Sequence, residues 1–179
     1  MGDWTAETAE WYADKYGEYA TNRLGIDALA LQADDVVVDV GCGAGAALRR
    51  AAERVTRGQL IGVDVVPRMV AIARERAAGH AAQGRLEFRV GGADGLPVED
   101  GVADVVLAFD SLDHWPDVPA GLAEVRRVMK ETGLFAVVKD GGVPTRHGFV
   151  EAAEAAGFRV ERTETLEEGD VRCVLWVCR

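Results

Sequence analysis

Residues 36–47 read VVVDVGCGAGAA, and this stretch decides the fold. Val36–Val40 is a β-branched apolar run, which favours a strand. Gly41, Gly43 and Gly45 follow at alternate positions, then an alanine-rich helical pattern over Ala44–Thr56. Strand, glycine turn and helix together make a loop whose backbone a ligand can approach closely, at a helix start that offers free N–H groups. Alone, such a loop is also explained as a tight strand-to-helix turn. It lacks the G-x-x-x-x-G-K-[ST] lysine of a triphosphate loop. Asp39, two residues before Gly41, suits a cationic ligand group better than a pyrophosphate. Asp64 closes the next apolar run, Leu60–Asp64, where a nucleotide ribose finds its acidic partner.

Outward from the loop, short apolar runs alternate with helical patterns. The spacing predicts helices over Pro67–Ala78, Pro119–Lys130 and Arg146–Ala156, and strands over Leu86–Val90, Ala103–Phe109, Leu134–Lys139, Phe158–Glu164 and Arg172–Cys178. Residues 5–31 read as helical in two pieces with a break near Gly25. Alternation of this kind implies an α/β fold with a doubly wound, mostly parallel, seven-stranded Rossmann-like sheet. The connection Thr165–Val171 is too short for a parallel crossover, so the chain closes in an antiparallel C-terminal hairpin. We expect one domain over residues 1–179, with helices over 1–31 and the Rossmann-like core over 34–179.

Composition bounds the function. The chain has 179 residues, 20 Lys and Arg against 30 Asp and Glu, and a net charge of −10. That field opposes nucleic acid, and no basic patch or basic amphipathic helix points to nucleic acid or a membrane surface. No apolar run reaches the ~18 residues of a spanning helix, and the first twenty residues lack the apolar stretch of a signal peptide. The expected location is cytoplasmic. Cys42, Cys173 and Cys178 have no metal-ligand spacing and read as reduced thiols. No metal is expected.

Five blocks in order resemble the class I S-adenosylmethionine-dependent methyltransferases, of the small-molecule type 11 kind. They are DVGCGAG from Asp39, LIGVDVVPRMVAIARERA around Asp64, GGADGLP from Gly91, DVVLAFDSLDHWPD from Asp104 and EVRRVMKETGLFAVVKD from Glu124. The resemblance implies S-adenosylmethionine as cofactor and a small-molecule methyl acceptor, attacked in line. It implies a cofactor site of Asp39, Gly41, Cys42, Gly43, Asp64, Val65, Gly92, Ala93, Asp94 and Phe109, with Tyr12 and Tyr16 reaching down from an N-terminal lid. Gly92 stands where the family has the aspartate that binds the adenine amino group; Asp94 either substitutes for it or does not reach the same atom. Thr132 replaces the proline of the fifth-strand block. The short connection Asp140–Thr145 implies an open pocket, or one completed by a second copy of the chain in a homodimer.

Residues just past the fourth strand face the methyl group. His114 is the candidate general base, and Asp110, four residues earlier, shares its face if the stretch is helical and then orients the imidazole. The alternative is that His114 only packs or caps the next helix. Tyr12, Tyr16 and Tyr19 fall on one helical face, either packing on the sheet or covering the cofactor. Arg23 is a candidate partner for the cofactor carboxylate, and His147 a candidate at the pocket mouth. Cys42 reads as a small packed side chain rather than a nucleophile. Two other readings stand beside the enzyme. One is a non-catalytic S-adenosylmethionine-binding module. The other is a dinucleotide-dependent oxidoreductase, since Gly41, Gly43 and Ala46 also fit G-x-G-x-x-A.

Overall fold

The computed structural model describes residues 5–141 and 148–179. Seven strands form one sheet in the order β3-β2-β1-β4-β5-β7-β6. They are β1 (Val36–Val40), β2 (Gln59–Asp64), β3 (Leu86–Val90), β4 (Ala103–Phe109), β5 (Met129–Asp140), β6 (Val160–Glu168) and β7 (Val171–Cys178). The first five run parallel, and β7 is antiparallel to both β5 and β6. The chain winds outward from β1 to β3, then returns to lay β4 on the other side of β1. That reversal opens a crevice at the carboxyl ends of β1 and β4, where open α/β sheets bind ligands.

Consecutive strand residues enter opposite layers. Val37, Leu60 and Val105 join one core, under the helices α2 (Ala20–Asp27), α3 (Ala46–Ala51) and α4 (Pro67–Ala77). Val38, Ile61 and Val106 join the other, under α5 (Val118–Val128) and α6 (Phe149–Ala155). A strand covered on both faces has no polar side, which is why Val36–Val40 reads as continuous valine apart from Asp39. The first helix, α1 (Ala6–Tyr16), forms a separate small layer. Its Ala9 and Ala13 pack on Ala44, Val66, Met69 and Ile72.

Several boundaries differ from the sequence reading. The N-terminal helices break at Gly17–Tyr19, not at Gly25. Gly25 lies inside α2, where a Cβ would stand 2.6 Å from the Phe109 ring; the glycine is there for close helix–strand approach. The helix α3 is shorter than expected, starting at Ala46 after the left-handed Gly45. The fifth helix stops at Val128, and β5 begins at Met129, four residues before Gly133. There the pairing jumps from Ala103–Met129 to Val105–Leu134, so residues 130–133 bulge out of the ladder. The hairpin is also longer than its pattern suggested: only Gly169 and Asp170 separate β6 from β7. The His147 candidate lies outside the described residues.

Candidate functional site

The glycine turn is fixed from below. The N–H groups of Gly41 and Cys42 both donate to the Val63 carbonyl, at 2.8 and 3.0 Å. Gly41 and Gly43 have φ of 79° and 50°. A Cβ at Gly43 would meet nothing within 4 Å, so the turn faces open space there, as a cradle for a ligand must. Asp64 ends β2 beside it. One carboxylate oxygen accepts the Gly43 N–H and the other the Val66 N–H, each at 2.9 Å. Burial pushes the Asp64 pKa up, while those two N–H donors and the His114 charge oppose the rise. Each oxygen keeps lone-pair capacity for a further donor such as a ribose hydroxyl.

Asp39 is the most unusual group in the molecule. It is 2% exposed, and no described group donates a hydrogen bond to its carboxylate. Burial, and then the charge of Asp64, push its pKa up to about 7. An ionised carboxylate kept dry without a partner is costly, so such groups mark places where a ligand completes the pairing. Cys42 is buried beside it with its pKa pushed far up by burial, then by Asp39 and Asp64. That thiol stays protonated and packs as a small apolar side chain.

Beyond β2, Val65 is 68% exposed and offers an apolar surface next to Asp64. Ala93 is buried and Gly92 half-buried. A Cβ at Gly92 would stand 2.5 Å from Asp94 Oδ1. The Asp94 carboxylate therefore curls back to occupy the space that a side chain at position 92 would fill.

Across the crevice the sequence reading fails in part. Asp110 and His114 do not share a helical face. Asp110 has φ 51°, and only Leu112–His114 form a single 3₁₀ turn. The Asp110 carboxylate accepts from the Thr21 hydroxyl and from the Asp140 N–H, both at 2.7 Å. It is a fastening of α2 to the strand ends rather than the partner of an imidazole. Burial pushes its pKa up against those two donors. His114 is exposed and its side chain has no hydrogen-bond partner among the described residues. Phe109 is 6% exposed and its ring lies against Gly25 of α2, not in the crevice. Asp113 pairs with Lys139, with side chains 9% and 14% exposed. Arg23 pairs with Glu168 and Asp27, so it is already engaged.

The tyrosines come together despite the break between their helices. Tyr12 and Tyr16 ring centroids are 4.9 Å apart, and Tyr16 and Tyr19 are 6.1 Å apart, edge to face. The Tyr19 hydroxyl donates to Asp140 at 2.7 Å, which pushes the Tyr19 pKa up to about 12. Burial, then the charges of Asp110, Tyr16 and Asp64, raise the pKa of Tyr12, and Tyr12 packs against the small layer of Ala9, Ala13, Ala44, Val66, Met69 and Ile72. Thr21, Ser111 and Asp140 are site residues that the sequence reading does not name. Asp140 had a signal, since it ends a central strand; Thr21 had none. A cleft of about 420 Å³ opens between α2 and α3, lined by Arg23, Arg49, Arg50 and His80 among others, but none of Asp39, Asp64 and Asp110 borders it. Among the described residues, no group of three or more His, Cys, Asp or Glu is placed to hold a metal ion, and no helix is long and apolar enough to cross a membrane.

Comparison with known proteins bears on this arrangement. A family model described as a methyltransferase domain matches residues 38–137. The 27-O-demethylrifamycin SV methyltransferase of Amycolatopsis mediterranei is 34% identical over 142 residues, 76% of this chain and 51% of that protein. The methyltransferase GfsG of Streptomyces halstedii is 31% identical over 121 residues, 68% of this chain and 43% of that protein. A SAM-dependent methyltransferase from Aquifex aeolicus has the same fold, with a TM-score of 0.80 at 18% identity over 98% of each chain. This chain spans between about a quarter and about half the length of the curated relatives it matches.

Proposed function

The chain belongs to the methyltransferase-domain family, and from that premise we propose that it transfers a methyl group from S-adenosylmethionine to a small-molecule acceptor. The observation that carries this reading is Asp39: a residue 2% exposed, its carboxylate with no partner among the described residues, at the base of an open glycine turn. That donor set fits a ligand bearing both an ammonium group and a nucleoside. Asp39 takes the cationic end, directly or through one water. Asp64 takes the ribose hydroxyls. Val65 and Ala93 line the base, and Asp94, folded over Gly92, reaches its amino group.

S-adenosylmethionine, when bound, supplies a methyl group on a sulfonium: the acceptor's lone pair forms the new bond to carbon as the carbon–sulfur bond breaks and its electron pair goes to sulfur. The protein's share is orientation and exclusion of water. Tyr12, Tyr16 and Tyr19 roof the strand ends and do the excluding. Asp110 does not orient His114, because it is engaged by Thr21 and by the Asp140 N–H. The acceptor proton goes to solvent or to the exposed His114. A dinucleotide fits less well, since a pyrophosphate on this turn would meet the buried Asp39 with no cation between them.

Calorimetric titration of the protein with S-adenosylhomocysteine and with NAD tests the reading. Saturable binding of the sulfur nucleoside without NAD binding is the expected result. Binding of NAD alone would overturn it. Binding of the sulfur nucleoside with no turnover across a broad acceptor screen would favour the non-catalytic module.

A further inference from the structure

Thr21 is 1% exposed, on a helix that carries no part of the glycine turn. Its hydroxyl donates to Asp110 Oδ2 at 2.7 Å. One helical turn on, Gly25 lets α2 lie against the ring of Phe109, the residue before Asp110. The helix is thus seated on the end of β4 at two points. Asp110 is the only non-glycine described residue with positive φ. A side chain rarely adopts that conformation unless its surroundings hold it. Here they do: the Asp110 N–H donates to the Val138 carbonyl at 2.8 Å, and its second carboxylate oxygen accepts the Asp140 N–H.

The turn at Asp110 aims the next residue. The hydroxyl of the buried Ser111 donates to the Val40 carbonyl at 2.6 Å. Its Cβ lies 2.4 Å from where a Cβ at Gly41 would stand, and Gly41 has φ 79°. Ser111 therefore fills the space under the first glycine of the turn and holds the last carbonyl of β1. Two residues beyond Gly41, the Gly43 N–H meets Asp64.

We propose that Thr21, Asp110 and Ser111 form a positioning relay that ties the seating of α2 to the shape of the glycine turn. None of the three is a catalytic residue. Thr21 fixes the Asp110 turn, the turn fixes Ser111, and Ser111 fixes Val40 and Gly41. Removing the Thr21 hydroxyl leaves Asp110 Oδ2 without that donor where water is scarce, and the left-handed turn then loses one of its supports. The consequence for cofactor binding rests on the methyltransferase reading, since it takes the turn as the cofactor's cradle.

The test uses the full chain and three variants, Thr21→Val, Thr21→Ser and Ser111→Ala. For each, S-adenosylhomocysteine affinity, ligand-free thermal unfolding and amide hydrogen exchange of residues 39–45 and 109–115 are measured. Thr21→Val and Ser111→Ala should each weaken binding by about tenfold. The double variant should be little worse than either single one, because both break the same chain. Thr21→Ser should stay within about twofold, having kept the hydroxyl. Exchange at 39–45 should speed up in Thr21→Val, although residue 21 is remote in sequence. A Thr21→Val protein with a lower melting temperature but parental affinity and parental exchange at 39–45 would reduce Thr21 to packing and overturn the relay. Should Thr21→Val fail to fold, Ser111→Ala decides by the same two readouts. If the parent binds no sulfur nucleoside, the methyltransferase reading fails by itself. The relay is then judged by exchange alone: faster exchange at 39–45 sustains it, and unchanged exchange overturns it.

Discussion

On the β1–β2 side of the crevice, Asp39 is a residue 2% exposed whose carboxylate has no donor among the described residues. On the β4–β5 side, every carboxylate near the strand ends has a protein partner: Asp110 has Thr21 and the Asp140 N–H, Asp140 has Tyr19, and Asp113 has Lys139. The contrast is chemical. A buried charge without a partner costs free energy that folding must supply, and it persists where a ligand offsets that cost. Asp64 holds two backbone N–H donors beside the open turn and keeps lone-pair capacity for a ligand, whereas Asp110, tied to α2 and to β5, serves as a bracket. One half of the crevice is unfinished without its ligand. The other half is finished scaffolding that holds the roof in place. Residues that look alike in sequence, an aspartate at the end of a strand, thus do opposite work.

The sharpest way to break the comparison is Asp39→Asn. The variant keeps the shape and removes the charge. We expect S-adenosylhomocysteine affinity at pH 8 to fall roughly 30- to 150-fold, from the loss of about 2–3 kcal/mol of charge-assisted pairing. Stability should move the other way. The Asp39 pKa is raised by folding to about 7. A raised acid contributes stability that is full below its unfolded value near 4 and is lost as pH climbs through 7. The ligand-free parent should therefore lose stability from about pH 4 to 7 through this group, and the variant should not. Above pH 7 the variant should melt higher than the parent while binding less. In the parent, binding should tighten as pH rises through 7, because the ligand's cation favours ionised Asp39. Flat affinity from pH 5.5 to 8 in the parent, or unchanged affinity in the variant, would show that Asp39 is structural and that the two halves do not differ.

A smaller effect sharpens the same half. Asp94 is exposed, so its contact with the adenine amino group is worth about 1 kcal/mol, or roughly fivefold in affinity. The informative measurement is discrimination. The parent should prefer S-adenosylhomocysteine over the analogue with hypoxanthine in place of adenine, and Asp94→Ala should lose that preference. Equal discrimination by both proteins would mean that Gly92 leaves the adenine without a carboxylate partner.

How much of this was legible in the sequence follows from range. The glycine turn, Asp39 and Asp64 lie within one strand–turn–helix–strand unit, so spacing alone placed them. The mostly parallel sheet followed from the alternation of strands and helices, and the hairpin from one short connection; the strand order did not. Element ends were read less well, because Gly25 and Gly133 look like breakers until the packing is known: one admits the Phe109 ring, and the other ends a bulge. The β4–β5 half was misread because its partners are distant. Thr21 and Asp110 are separated by 89 positions, and no local pattern relates them. The i, i+4 pairing of Asp110 with His114 assumed a helix, and the left-handed Asp110 removes it.

That misreading bears on His114 and gives the smallest expected effect. A general base contributes most when a second group fixes its tautomer and aims it, and contributions of 10²–10⁴ come from such positioned groups. The His114 imidazole is exposed and has no hydrogen-bond partner among the described residues. Its one visible influence on the site is the opposition of its charge to the raised Asp64 pKa, weaker there than burial or the two N–H donors. Removing it as His114→Gln should therefore leave S-adenosylhomocysteine affinity within about twofold, since a screened, exposed charge contributes little. Turnover, with whichever acceptor a screen yields, should fall by less than about tenfold. The pH–rate profile separates the two accounts more cleanly than the rate. If His114 takes the acceptor's proton, kcat/KM in the parent falls toward acid pH with unit slope and the variant loses that limb. If orientation alone drives transfer, parent and variant share one profile, and the finished half of the crevice contributes geometry without proton chemistry.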